Sequence, residues 1–182
     1  MFKQFFKTKK FSPRLAEKIA ALESTLEDIA AKHVPATLAS RLSAADMVMT
    51  HVILRRSLDI SIVALESAPL GAEALNLIKS VRQRYQYTIN RISPVAGAIL
   101  GAAAWVVSAP SADLLAMGGN APVFPLLRDW TNEEIQTYLD AYGMPYTGSA
   151  ALNGRTADFV EPRTGWRTPC GTRAPSQITD MA

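Results

Sequence analysis

Cysteine and histidine are nearly absent from this chain. Cys170 is the one thiol, which excludes an intramolecular disulfide and leaves a cysteine-based metal centre without ligands. His33 and His51 are the only imidazoles, and neither has a carboxylate or cysteine at metal-ligand spacing. Gly118-Gly119-Asn120 lacks the context of a GxGxxG turn or a P-loop lysine. Cys170 has no histidine or helix start beside it to activate a thiolate. The expectation from these absences is a protein with no metal, no cofactor and no catalytic residues, and hence not an enzyme.

Acidic residues are missing from two stretches. None stands between Glu73 and Asp113, where Lys79, Arg82, Arg84 and Arg91 fall, and none stands in the first ten residues, which carry Lys3, Lys7, Lys9 and Lys10. The net charge of +3 does not by itself imply a nucleic-acid partner. A secretory leader is not expected, because MFKQFFKTKKF has no continuous apolar stretch and no small-residue cleavage site. Residues 92–112 are uncharged and long enough to cross a bilayer. Alanine, glycine, serine and two prolines dilute that stretch, so it reads as a buried core helix, with a membrane span as the alternative.

What is present reads as helix. Ser12-Pro13 is a start signal, and Leu15, Ile19, Leu22, Leu26 and Ile29 follow at spacings of four and three, the seam of a helix packing along another helix. Pro35 ends that helix. A second helix is expected from Thr37 to about Leu65, with Leu38, Leu42, Ala45, Met49 and Val52 as its stripe and β-branched Ile60, Ile62 and Val63 weakening its last turns. A third is expected from Ala72 to about Arg91, with Leu75, Ile78, Val81, Tyr85 and Ile89 on one side. Its basic residues either contact phosphates beside Tyr85 or Tyr87, or form a solvated face paired with acids such as Glu23, Glu27 and Asp28. Phe2, Phe5, Phe6 and Phe11 alternate with lysines, as in an arm that docks on a neighbouring subunit or an interfacial anchor.

Near the C-terminus, Thr131-Asn132-Glu133-Glu134 matches a capping box. Ile135, Tyr138, Leu139 and Tyr142 make one helical face, and Gly143 suits a left-handed stop. Met144-Pro145-Tyr146 then reads as extended, with a short helix from about Asn153 to Val160. Trp130-Thr131, Ile135, Tyr138-Leu139-Asp140, Gly143-Met144 and Asp158-Phe159-Val160 together resemble the helix-extension-helix mini-domain related to the LEM and SAP modules. That resemblance implies DNA or protein binding, with Arg155 as the counterpart of the family's lysine, and it implies a setting among bacteriophage proteins.

The fold expected is mainly α: a helical bundle-like body (12–108) with a basic aromatic arm (1–11), a Pro/Gly-rich linker (109–128), a helix-extension-helix unit (129–161) and an extended tail (162–182). The function expected is non-catalytic assembly in a virion or the bacterial cytoplasm, through contacts with other subunits in a homo-oligomer or larger assembly. The seam Leu15, Ile19, Leu22, Leu26 and Ile29 is the candidate assembly surface. One alternative is a DNA-binding accessory protein using Lys3, Lys7, Lys9, Lys10, Lys79, Arg82, Arg84, Arg91 and Arg155. The other is a small membrane-active protein that inserts residues 92–112.

Overall fold

The computed structural model describes residues 11–66, 69–92, 101–109 and 120–147 of the 182-residue chain. Among these residues helices and strands alternate: α1 (Pro13–Lys32), β1 (Ala36–Ser40), α2 (Ala44–Arg56), β2 (Ile60–Leu65), α3 (Ala72–Tyr85), β3 (Asn90–Ile92), β4 (Ala104–Val107), β5 (Val123–Pro125) and α4 (Asn132–Tyr142). The strands form one sheet in the order β3-β2-β1-β4-β5, and every neighbouring pair is parallel. This is an α/β architecture, and it overturns the expectation of a mainly α bundle.

The physical reason lies in β1 and β2. A strand in the middle of a parallel sheet is covered on both faces, so it reads as a continuous apolar run without the alternation that marks a half-exposed strand. Ala36–Ser40 is buried throughout, and Ile60–Leu65 is buried except at Ser61. Merged with the apolar α2 between them, the two strands imitate one long helix over 37–65. The uncharged stretch 92–112 holds the end of β3 and all of β4 where it is described. No helix among the described residues is long and apolar enough to cross a membrane.

Register separates the two faces. Leu38 is level with Ile62 and Val106, and Ala39 with Val63. Side chains alternate across each strand, so Leu38, Ile62, Ala64 and Val106 lie on one face among residues of all four helices. Ala39, Val63, Leu65, Trp105 and Val107 make a smaller cluster on the other.

On the larger face, α2 is enclosed. Every residue from Asp46 to Ile53 is buried, as expected for a helix with the sheet on one side and other helices around the rest. α1 closes one flank. Ser12 accepts the Leu15 N–H and Pro13 opens the helix, as read from sequence, and Leu15, Ile19, Leu22, Leu26 and Ile29 are all buried in the chain's own core. An oligomer built on that seam would first have to unpack α1, and removing Leu26 alone to alanine costs about 2–5 kcal/mol in such a core. Of the face expected for α3, Val81 and Ile89 are buried and Ile78 and Tyr85 pack on the core, while Leu75 is 39% exposed and Leu77 is buried in its place.

The enclosed helix carries one polar misfit. Thr50 is fully buried, and its hydroxyl finds no hydrogen-bond partner among the described residues. Thr50→Val keeps the shape and removes the unpaired group, so it should stabilise the chain by about 1 kcal/mol. Urea unfolding at constant slope measures this, and a loss of stability would show that the hydroxyl is satisfied.

Candidate functional site

From β1 the chain builds β2 and β3 outward on one side, then returns to the other side of β1 for β4 and β5. The strand order therefore reverses between β1 and β4. In open parallel sheets a crevice opens at such a reversal, outside the carboxyl ends of the strands. Leu38 is level with Val106, so Ser40 and Ser108, two residues further along each strand, end at the same height.

The β1–α2 connection, Ser40-Arg41-Leu42-Ser43, lies at this reversal. Leu42 sits at φ +62°, a conformation that costs an L-residue about 1–2 kcal/mol. Burial of its side chain, which is 3% exposed, offsets that strain. The loop is tied from both sides. The Leu42 N–H donates to Ser40 Oγ at 3.0 Å, and the Leu42 carbonyl accepts from the Thr147 hydroxyl at 3.1 Å.

Asp46, buried in the first turn of α2, organises the rest. Its Oδ2 accepts from the Arg41 N–H at 2.9 Å, the Ser43 N–H at 3.2 Å and the Ser43 hydroxyl at 2.9 Å. Ser43 Oγ in turn accepts the Asp46 N–H at 3.2 Å, which completes a capping box. With these donors occupied, the N–H groups of Ala44 and Ala45 have no carbonyl to bond within their own helix. They lie at the carboxyl edge of the sheet, at the positive end of α2 and without a hydrogen-bond partner among the described residues, an arrangement suited to an anionic group.

The far half of α2 is held by α4. His51 Nδ1 lies 2.7 Å from the Tyr138 hydroxyl, and the His51 and Tyr142 rings are 4.5 Å apart. Arg55 donates to the Tyr142 hydroxyl at 2.9 Å and lies over its ring. Arg84, on α3, donates to the carbonyls of Tyr142 and Gly143 at 2.7 and 2.6 Å. Burial first, then Arg55 and Arg84, push the His51 pKa down to about 3, and burial raises that of Tyr138. Their contact is therefore a hydrogen bond between neutral groups at neutral pH. His51 follows Asp46 by about 8 Å along the helix axis.

The residues singled out from sequence do not gather here. Lys79 and Arg82 lie exposed on α3. Arg84 caps α4 as described, and Arg91 pairs with Glu66 at 3.2 Å. None of the three acids named for that face pairs with α3: Glu23 pairs with Arg55 and Arg56 and Glu27 with Arg56, all on α2, and Asp28 pairs with Lys32 of its own helix. Lys3, Lys7, Lys9, Lys10 and Arg155 lie outside the described residues, as does the expected second helix near 153–160. Phe11, read as part of a docking arm, stacks on Tyr138 and Tyr142 of its own chain at 6.3 and 5.9 Å. The sequence does not single out the site residues Ser40, Ser43 and Asp46, and it places Leu42 in the stripe of a helix rather than in a loop. The available signal was Ser43-Ala44-Ala45-Asp46, a capping-box pattern directly after a short apolar run.

No family model matches the chain. An adenosine 5'-phosphosulfate reductase of Burkholderia cepacia is 39% identical over 88 residues, covering 48% of this chain and 35% of the relative. A protein of the same name from Neisseria meningitidis serogroup A is 40% identical over 82 residues, covering 44% and 34%. The matches span about a third of the length of these relatives. The crystal structure of a phosphoadenylyl-sulfate reductase from Candida auris superposes with a TM-score of 0.59 at 11% identity, over 79% of this chain and 92% of that one. These findings overturn the helix-extension-helix resemblance and, with it, the virion, assembly and DNA-binding readings. The expectation of a non-enzyme falls too, since the relatives are named as reductases. The fold of this chain is the α/β fold of the phosphoadenylyl-sulfate reductase structure.

Proposed function

We propose that this chain binds a sulfated adenine nucleotide at the carboxyl edge of its sheet, and that it forms the nucleotide-holding part of an enzyme that reduces that nucleotide. The observation that carries this reading is the 39–40% identity to adenosine 5'-phosphosulfate reductases over nearly half of the chain. The geometry supports it. A phosphosulfate is a compact polyanion, and two N–H groups at a helix start beside a strand-order reversal are a suitable receptor for one. The described residues contain no cysteine, so the reading assigns them binding and orientation. Taking sulfur from the sulfate to the sulfite level consumes two electrons, which a separate reductant supplies. A bacterial cytoplasm is the location that goes with this reading.

Ala44 provides a selective test. It occupies the first helical position, where proline is accepted, and Ser43 before it is already extended at φ −70° and ψ 164°, the conformation a following proline requires. Ala44→Pro thus deletes one N–H and leaves the helix intact. By isothermal titration calorimetry, the wild-type chain should bind adenosine 5'-phosphosulfate, and Ala44→Pro should bind it about tenfold more weakly at unchanged melting temperature. Failure of the wild type to bind would sink the reading. Equal binding by the variant would move the anion away from α2.

A further inference from the structure

Thr147 lies beyond the end of α4, far in sequence from β1, yet its hydroxyl reaches the strained loop at the head of α2. The carbonyl it bonds belongs to Leu42, the residue at positive φ. That carbonyl shares a rigid planar peptide with the Ser43 N–H, which donates to Asp46 Oδ2. One peptide plane is thus gripped at both ends, by Asp46 through its N–H and by Thr147 through its oxygen. Released at the oxygen, the plane could rotate about the Leu42 Cα–C and Ser43 N–Cα bonds, in a loop that already carries the strain of Leu42 at positive φ. Such a rotation would swing the Ser43 N–H away from Asp46 Oδ2 and loosen the cap that sets the first turn of α2.

Thr147 is itself held. Arg84 bonds the Gly143 carbonyl, Met144 is buried, and the Tyr85 hydroxyl contacts Met144 Sδ at 3.1 Å. The segment from Gly143 to Thr147 therefore runs from an anchor on α3 to the loop at the head of α2.

We infer that Thr147 is a positioning residue for the anion-receiving loop: its hydroxyl fixes the Leu42–Ser43 peptide and, through it, the aim of the N–H groups at the start of α2. The link to a nucleotide rests on the function proposed above; the control of the loop does not. Hydrogen–deuterium exchange of the full chain therefore decides it first. Thr147→Val, which removes the hydroxyl and keeps the shape, should speed exchange in peptides covering residues 40–46 by about tenfold and leave α1 and the sheet protected. Thr147→Ser should restore the wild-type rate. Titration with adenosine 5'-phosphosulfate should then show about fivefold to tenfold weaker binding for the valine variant and recovery for serine. Unchanged exchange at 40–46 in Thr147→Val overturns the inference. Faster exchange in a chain that binds no nucleotide confirms the positioning role and fails only the proposed function.

Discussion

Replacing Asp46 with alanine is expected to lower the unfolding free energy by about 2–4 kcal/mol and, under the function proposed above, to abolish nucleotide binding. One carboxylate oxygen gathers two backbone N–H groups and a hydroxyl, and bonds to a charged acceptor contribute about 1.5–3 kcal/mol each where water cannot take over. Arg41 and Ser43 are exposed, so water recovers part of the loss, which places the total below the sum. The capping box goes at the same time, at about 1 kcal/mol. Asp46→Asn keeps the volume and one carbonyl acceptor and should fall about midway. Urea midpoints with unchanged slopes measure the effect. An alanine variant within 0.5 kcal/mol of wild type, on the order of surface substitutions, would mean that the loop does not depend on this carboxylate.

The second large effect is a pH dependence set by His51. Its pKa in the folded chain is about 3, lowered from an ordinary 6.5 chiefly by burial and then by Arg55 and Arg84. The groups facing it from the packed helices are Tyr138 and Tyr142 on α4 and Tyr85 on α3. The unfolded chain takes up a proton at His51 below about pH 6.5, and the folded chain does so only near pH 3. Between those values the unfolded state binds more protons, so stability rises with pH and is lost on acidification. The slope from this one group approaches about 1.4 kcal/mol per pH unit, which integrates to about 1.6 kcal/mol between pH 6.5 and 5. His51→Leu should be less stable at pH 7, because Tyr138 loses its partner, yet its stability should vary less with pH over that interval. Parallel pH profiles for the two proteins would show that His51 is not held neutral.

The helix ends of this fold are legible in the sequence because they are local chemistry. Ser12-Pro13 and the Thr131–Glu134 box form the bonds their spacing implies, and Gly143 takes the left-handed stop at φ +59°. The strands are not legible. Ala36–Ser40 has no alternation to show, because both of its faces are covered, and Ile60, Ile62 and Val63 pass for the fraying end of a helix. Their pairing depends on partners far along the chain, which periodicity in one window does not reveal. The site is hidden for a further reason. A tight turn leading from a strand into a helix is usually announced by glycines that supply positive φ, and here Leu42 takes that conformation under the restraint of Ser40, Asp46 and Thr147.

The attachment of α4 to α2 joins His51 to Tyr138 and Arg55 to Tyr142 across 87 residues of sequence. Loops of that length close slowly compared with the formation of a helix or a neighbouring strand pair. During synthesis, β1, α2 and β2 emerge together, but the outward flank of α2 stays bare until Tyr138 has been made. A growing chain stopped near residue 128 would present His51 and the apolar turns around it to any passing hydrophobic surface, which makes that interval the one in which a chaperone has most to hold.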